Sequence, residues 1–320
     1  MNYKAIIRSR RLRILILSWL NWVPDKTMIG LQYRIKNHRR LNWDKPQRFT
    51  EKLQWYKLSY RDPLLPQCID KYDVRQFVQS RGMGHTLNEL YCVCRTADKL
   101  DVENLPDKFV IKKTNGGGGL RVMLCKDKSR EDWKMRKEEL AAWLKPSASK
   151  SGREWGYYDL EPRLVVERLL INERNPDAGV DDYKFFCFDG VPRYIVVDVD
   201  RYTDHKRNFY TADWQYLGVC SDCASFGDIL QPPPVLDEML DVAKALSVRF
   251  PFVRVDLYND RDRVVFGEMT FYPWSGYVQF KPDSFDLDMG AFFPLRSFPA
   301  EKQHAVVETA DCCVLDSNGY

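Results

Sequence analysis

The sequence predicts an α+β protein with two β-sheets and a cleft between two lobes. Three patterns lead to this fold class: helical spacing of apolar residues over the first 80 residues, short apolar runs between turns over 90–126, and a second set of such runs over 164–270. The chain has 320 residues, which suits two lobes and can bury a core without disulfides. Hydrophobic residues make up 44% of it, which excludes a disordered chain.

Helices are predicted through most of the first 80 residues, because apolar residues recur there at helical spacing, as at Phe49, Leu53 and Tyr56. Residues 50–52 and 62–63 are of the types that begin or end helices. Two further helices are predicted, over 130–144 and 235–250.

Strands are predicted where short apolar runs are bounded by turn residues. These runs are 90–93, 109–111, 122–125, 164–170, 183–188, 194–199, 252–258 and 264–270. Strands and helices together divide the chain into four parts. They are a basic helical region over 1–80, a small lobe over 81–160, a larger lobe over 161–298, and a tail over 299–320 that we expect to be flexible.

The basic charge is concentrated at one end of the chain. Residues 1–60 hold 14 Lys and Arg against 3 Asp and Glu, a net charge of +11, whereas the whole chain carries +4. Four arginines precede an apolar run over 14–23: Arg8, Arg10, Arg11 and Arg13. This segment is either a basic amphipathic helix on an anionic surface or, more ordinarily, a core helix with a solvated first turn.

The apolar run over 14–23 is about half the length that a membrane span needs, and no small-residue cleavage site follows it. Nine cysteines, an odd number scattered through apolar runs, are typical of buried thiols in a reducing compartment. We therefore expect a cytoplasmic protein, and residues 1–24 leave peripheral contact with the inner membrane open.

Several site classes are disfavoured. Cys220 and Cys223 form one C-x-x-C without a second pair or suitably spaced histidines, so a zinc site is not expected. With 4 histidines and no G-x-S-x-G, the chain offers little for a hydrolase triad. The basic segment is not followed by an RNA- or DNA-binding motif, so no nucleic-acid partner is expected.

One segment is suited to phosphate. A predicted strand over 109–112 ends at Lys112 and opens into four glycines: Gly116, Gly117, Gly118 and Gly119. Glycines let backbone N–H groups approach phosphate oxygens, and a strand-borne lysine adds a fixed positive charge. Taken alone, the run is equally typical of a mobile hairpin turn, and it matches neither a Walker loop nor a dinucleotide fingerprint.

A second segment is suited to a metal ion. Strand alternation places Arg254, Asp256 and Tyr258 on one face, and Glu268 follows on the next predicted strand. Two carboxylates on neighbouring strands can hold Mg²⁺, although a solvated sheet face would carry the same residues.

A third segment places a charge in an apolar strand. Lys184 interrupts the run over 183–188, and Arg201 and Arg207 follow it. Buried charges need partners, so Lys184 either contributes to a site or reaches the rim of the sheet.

Together these segments resemble the ATP-grasp superfamily, and more narrowly its branch similar to the TupA protein of teichuronopeptide biosynthesis. The likeness runs from about residue 31 to 291. It rests on the motifs at 49–55, 70–75, 109–112, 182–190, 251–258 and 267–273. The resemblance implies an ATP-grasp fold, with two α+β lobes clasping ATP and a helical N-terminal segment.

The resemblance also implies where ATP would bind. Lys112 and Arg75 would contact its phosphates, and the loop from Gly116 to Gly119 would close over the β- and γ-phosphates. A strand between the lobes would hold the adenine through Glu167, Arg168, Leu169 and Leu170.

Further implied roles concern the metal and the acceptor. Asp256 and Glu268 match the superfamily's Mg²⁺ ligands, but Thr270 stands where the superfamily usually has Asn, which implies weaker metal binding. The implied catalytic residues would stabilise the transferred phosphoryl group or hold a substrate carboxylate. They are Lys184, Arg201, Arg207 and Arg254.

The activity implied is ATP-dependent carboxylate–amine ligation through an acyl phosphate, with ATP and Mg²⁺ as cofactors. We expect the acid to be a uronic acid of a bacterial capsule, O-antigen or teichuronopeptide, as a small molecule or lipid-linked, and the amine to be an amino acid or amino alcohol. Two alternatives stay open: a sugar or polysaccharide kinase of the same fold, and a non-catalytic nucleotide-binding scaffold of polysaccharide assembly.

Overall fold

The structure is a computed structural model that describes residues 9–117, 121–145, 150–172, 175 and 177–296. Helices and two antiparallel sheets make up this part of the chain. The helices are α1 (Arg10–Trp19), α2 (Asp25–Asn37), α3 (Phe49–Ser59), α4 (Leu64–Ile69), α5 (Val74–Ser80), α6 (Trp133–Leu144), α7 (Leu236–Ser247) and α8 (Ser284–Phe292). None of the helices described is both long and apolar enough to cross a membrane.

The smaller sheet has four strands in the order β1-β4-β2-β3. They are β1 (Leu90–Cys94), β2 (Phe109–Lys113), β3 (Val122–Cys125) and β4 (Leu164–Arg168). Leu140 and Trp143 of α6 share a buried core with Phe109 and Val166 of this sheet. Strand β4 lies between β1 and β2, so the small sheet includes residues as far as Arg168, beyond the predicted boundary at residue 160.

The larger sheet has five antiparallel strands in the order β7-β6-β5-β8-β9. They are β5 (Asp182–Phe188), β6 (Val191–Val199), β7 (Lys206–Thr211), β8 (Phe252–Asn259) and β9 (Val264–Thr270). All seven residues of the central strand β5 are buried, because this sheet is covered on one face by helices and faces the other lobe with the opposite side.

Helices α3, α4 and α5 contribute to the core of the larger lobe. The Phe49 ring on α3 lies 5.0 Å from the Phe252 ring and 6.1 Å from the Phe186 ring, centroid to centroid. Aromatic pairs at such distances bury much apolar area and add edge-to-face attraction. The part of the predicted helical region that forms α3, α4 and α5 therefore packs with the larger sheet.

The start of α3 is fixed by two acids. The Glu51 carboxylate accepts the N–H groups of Gln47 at 3.0 Å and Arg48 at 3.2 Å. Asp286 of α8 accepts the N–H of Thr50 at 2.9 Å and its hydroxyl at 2.7 Å. These bonds satisfy N–H groups that a helix start otherwise leaves unpaired, and they fasten α8 to α3.

The α+β fold class, the predicted strands and the helices over 130–144 and 235–250 are confirmed. The sequence did not predict β7 and α8. Strand β7 begins with three polar residues, Lys206, Arg207 and Asn208. Its sequence therefore lacks the alternation of apolar and polar residues that indicates a strand. Two glycines of the predicted loop, Gly118 and Gly119, and the tail over 299–320 lie outside the described residues.

The tight contact between Gly290 of α8 and the backbone at the start of α3 lets us predict the effect of one substitution. A Cβ on Gly290 would lie 1.9 Å from the carbonyl oxygen of Gln47 and 2.8 Å from the backbone nitrogen of Phe49. Because backbone must move to relieve this overlap, we expect Gly290→Ala to lower the free energy of unfolding by about 3 kcal/mol in urea denaturation. Gly84→Ala, whose Cβ has no atom closer than 3.4 Å, is the control. Equal stability of the two variants would contradict the prediction.

Candidate active site

A cavity of about 970 Å³ lies between the two sheets. Among the described residues that line it, nine are Lys or Arg and six are Asp or Glu. This volume is at the upper end of small-molecule sites, and the excess of cations favours an anionic ligand.

Two carboxylates that line the cavity stand directly opposite each other. Asp256 on β8 pairs with Glu268 on β9, and the next pair is Leu257 with Phe266, so Gly267 forms a bulge. A Cβ on Gly267 would lie 2.8 Å from the Tyr258 ring and 3.0 Å from the carbonyl oxygen of Asp256, so only glycine fits. Residues directly opposite each other on an antiparallel pair share a face, so Asp256 and Glu268 lie side by side on one face of the sheet.

Arg254 holds this acidic pair together. Its Nε and Nη2 donate to the two oxygens of Asp256 at 2.6 and 2.7 Å. The same Nη2 lies 3.1 Å from the Thr270 hydroxyl and 3.4 Å from Glu268 Oε1. Arg254, predicted as catalytic, thus contacts all three predicted metal ligands.

Lys71 links the acidic pair to the glycine loop. Its Nζ donates to Glu268 Oε2 at 2.8 Å and to the carbonyl oxygen of Gly116 at 2.7 Å, and its backbone N–H donates to the carbonyl of Thr114 at 3.0 Å. The sequence assigned Lys71 no role. The sequence places Lys71 only within the motif at 70–75. That motif does not show that Lys71 contacts Glu268, which lies 197 residues further along the chain.

The two carboxylates differ in proton affinity. Burial raises the pKa of Glu268, but Lys71 and Arg254 outweigh burial and bring it down to about 2. Burial also raises the pKa of Asp256, and here Arg254 and Lys184 only partly offset the rise. Glu268 is therefore the firmly ionised member of the pair.

The donor atoms at this pair suit Mg²⁺. Asp256, Glu268 and Thr270 offer carboxylate and hydroxyl oxygens, which this ion prefers. Within the described ranges no group of three or more His, Cys, Asp or Glu is placed to hold a metal. Two carboxylates would leave most positions of a bound Mg²⁺ to water or ligand oxygens, the usual arrangement at phosphate sites.

A second group of charges joins the small sheet to helix α5. The Glu167 carboxylate accepts from Lys112 Nζ at 2.8 Å and from Arg75 Nη1 at 3.2 Å. Burial lowers the pKa of Lys112, and Glu167 outweighs this and raises it, so the lysine keeps its charge. The structure thus brings three predicted nucleotide-binding residues together, with Glu167 orienting the two cations.

The segment after β4 connects the lobes. Leu169, Leu170 and Ile171 line the cavity where the chain leaves the small sheet. Arg168 Nη2 donates to Asp260 Oδ2 in the β8–β9 turn at 2.6 Å, which joins the lobes at this point. The apolar walls beside the segment come from both sheets: Val110, Val122, Leu124, Val265 and Phe266.

A second pair of opposed carboxylates lies on the other side of Lys184. Asp182 on β5 pairs with Asp198 on β6. Lys184 Nζ lies 2.6 Å from Asp182 Oδ2 and 3.1 Å from Asp198 Oδ2. Lys184 also pairs in register with Asp256, so this one lysine stands between the two acidic pairs.

Two arginines complete this network. Arg201 bonds to Asp182, and Arg207 donates to Asp198 Oδ1 and Asp222 Oδ1 at 2.6 Å each. Burial raises the pKa of Asp198, but Lys184, His205 and Arg207 outweigh it and lower the pKa well below its usual range. The sequence assigned no role to Asp182 or Asp198, although Asp182 stands two residues before Lys184.

The four predicted catalytic cations all line the cavity, and each is paired with an Asp. They differ in access to a ligand. The side chain of Arg201 is 29% exposed, whereas those of Lys184, Arg207 and Arg254 are 6%, 7% and 11% exposed. Arg201 is therefore best placed to exchange its carboxylate partner for a bound anion.

The cavity is also lined by a turn in left-handed backbone conformation. Trp274 and Ser275 have φ of 50° and 55°. Lys57, which is fully buried, donates to the carbonyl oxygen of Ser275 at 2.7 Å and to its hydroxyl at 3.0 Å. The Ser275 hydroxyl also donates to Glu154. A buried lysine and a half-buried acid thus bond to a strained turn that lines the cavity.

The family model described as TupA-like ATPgrasp matches residues 51–294. No curated protein matches the chain.

Solved structures that the chain resembles include three ligases. D-alanine–D-alanine ligase from Bacillus anthracis is 16% identical over 71% of this chain and 67% of that one, with a TM-score of 0.39. D-alanine–D-alanine ligase from Helicobacter pylori is 14% identical over 79% and 68%, with a TM-score of 0.42. L-amino acid ligase from Bacillus licheniformis is 14% identical over 71% and 46%, with a TM-score of 0.40. The chain thus spans about half to two thirds of these proteins.

The buried lysine predicts a pH dependence of stability. Burial lowers the pKa of Lys57 to about 7, against about 10.4 in an unfolded chain. Between these values the unfolded state binds more protons than the folded state, so the free energy of unfolding rises with pH. Relative to a variant with Lys57→Met and Glu154→Gln, the wild type should gain about 1 kcal/mol or more from pH 7 to pH 9 in urea denaturation.

The matched control for this measurement is Lys134→Met with Glu138→Gln, an exposed pair on α6. It should show no change with pH relative to the wild type. A pH-independent difference between the wild type and the Lys57 variant would show that the buried lysine keeps an ordinary proton affinity.

Proposed function

The chain belongs to the TupA-like ATP-grasp family, and we propose that it is an ATP-dependent ligase that joins a carboxylate to an amine through an acyl phosphate. The observation that supports this most is the meeting of two charge groups in one cavity. Lys112 with its Glu167 partner faces the opposed pair of Asp256 and Glu268 across the cleft. Cations for phosphates and oxygen donors for Mg²⁺ are thereby available to one ligand.

ATP would enter with its base between the apolar walls of the two sheets, beside Leu169 and Leu170. Its phosphates would then lie along Lys112 and the loop at Gly116, which Lys71 ties to Glu268. Asp256 and Glu268 would hold Mg²⁺, with Thr270 adjacent, and the ion when bound would neutralise phosphate charge.

The first step would transfer the γ-phosphoryl group to the acid. A carboxylate oxygen attacks the γ-phosphorus, the bond to the β-phosphate oxygen breaks, and ADP leaves. Arg201 and Lys184 would orient the acid and the transferring group, while Arg207 and Arg254 would position the acids Asp198 and Asp256 that hold the network.

In the second step the amine attacks the acyl carbon, loses a proton and displaces phosphate, so that an amide forms. Both steps depend on alignment and on neutralising charge, and neither requires a covalent nucleophile from the protein. We propose the substrates that the TupA resemblance implies. The acid is a uronic acid of a bacterial surface polysaccharide, and the amine is an amino acid or amino alcohol.

Nucleotide binding tests the site directly. We expect Lys112→Ala to weaken ATP·Mg²⁺ binding at least about tenfold in calorimetry, because a charged hydrogen bond to phosphate is lost. Asp256→Asn with Glu268→Gln should remove the Mg²⁺ dependence of binding. Lys145→Ala, at an exposed lysine on the small lobe, is the control. No ATP binding by the folded wild type would contradict the site.

The products test the reaction. With glucuronic or galacturonic acid labelled with ¹⁸O in the carboxylate, and with alanine or ethanolamine, we expect ADP and free phosphate in equal amounts. One ¹⁸O should appear in that phosphate, because the carboxylate oxygen leaves with it. Hydroxylamine in place of the amine should yield the hydroxamate. ADP with a sugar phosphomonoester and no free phosphate would instead establish the kinase alternative.

A further inference from the structure

Helix α1 presents its apolar face to solvent. Leu12, Leu15, Ile16 and Trp19 recur at helical spacing and share one face. All four are exposed, Leu15 at 66% and Trp19 at 85%, and Trp22 in the following turn is 78% exposed. A core helix would bury this face, so the more ordinary of the two interpretations of this segment does not hold for the residues described.

The chain directly after α1 is bonded to the body of the protein. Arg153, which is 2% exposed, donates to the carbonyl oxygens of Leu20 at 2.7 Å and Val23 at 3.1 Å. It also bonds to the Asp25 carboxylate at 2.7 Å. The end of α1 is therefore held by a buried cation, so Trp19 and Trp22 occupy a defined position on the surface.

The charge of this end of the chain selects the partner. Residues 1–60 carry a net charge of +11, and Arg10, Arg11 and Arg13 lie within α1 itself. An anionic lipid surface attracts such a segment, whereas a second copy would bring two strongly basic segments together. Tryptophan suits the boundary between headgroups and acyl chains, because its ring is apolar with one polar N–H.

We infer that α1 and Trp22 form a membrane-docking surface that lies in the plane of an anionic bilayer. The helix has 10 residues, about 15 Å, which suits an interfacial position and is too short to span. The exposed apolar side chains enter the headgroup boundary, and the net positive charge of residues 1–60 attracts the anionic headgroups. The inference does not depend on the reaction that the cleft performs.

Vesicle flotation of the full chain tests the surface. Wild type should float with vesicles of phosphatidylcholine containing phosphatidylglycerol and should not float with phosphatidylcholine alone. Trp19→Ala with Trp22→Ala should reduce binding at least about tenfold, because two interfacial side chains are removed. Met135→Ala with Ile229→Ala removes exposed apolar residues elsewhere and should bind like the wild type. Circular dichroism verifies that each variant is folded.

A separate variant tests how much the positive charge of α1 contributes to vesicle binding. Arg10→Ser, Arg11→Ser and Arg13→Ser together should weaken binding to the anionic vesicles at least about tenfold, and added salt should weaken binding of the wild type. Absence of wild-type binding to anionic vesicles, or equal loss in the Met135 and Ile229 variant, would overturn the inference. A dimer that dissociates in the Trp19 and Trp22 variant, without vesicle binding, would assign the face to self-association instead.

Discussion

Two pairs of carboxylates face each other across neighbouring strands of the larger sheet, and the arrangement of the cleft depends on them. Asp256 opposes Glu268, and Asp182 opposes Asp198. Like charges directly opposite each other on a sheet are destabilising, the more so when buried. The fold accommodates them only by bringing cations between them, and Lys184 contacts one pair while lying in register beside the other.

The cations that neutralise these acids come from different parts of the chain. Arg254 lies on the same strand as Asp256, whereas Lys71 follows α4 and reaches Glu268 from outside the sheet. Lys71 Nζ also donates to the carbonyl oxygen of Gly116. This one lysine therefore bonds both to the glycine loop of the small lobe and to an acid of the larger lobe. A polyanion entering the cleft would compete for these same cations, which couples its binding to the position of the loop.

Buried ion pairs of this kind are weak evidence for stability, because removing charges from water offsets much of their attraction. Their value here lies in specifying one geometry. Arg207 bonds to Asp198 and Asp222 and has few donors left for a ligand. Arg254 forms a bidentate pair with Asp256, which likewise occupies its donors. Arg201 is more exposed and bonds to Asp182 alone among the described carboxylates, so the network separates positioning residues from a ligand-contacting candidate.

The sequence by itself determined the features that depend on neighbouring residues. Periodicity identified most helices and strands, and alternation along one strand placed Arg254 and Asp256 on a common face. Tertiary structure alone decided which distant residues meet. It inserted β4 into the small sheet, brought Lys71 to Glu268, and turned the apolar face of α1 outward. The physical reason is that spacing encodes which side of an element a residue occupies, whereas ion pairs and burial depend on the packing of segments far apart in the chain.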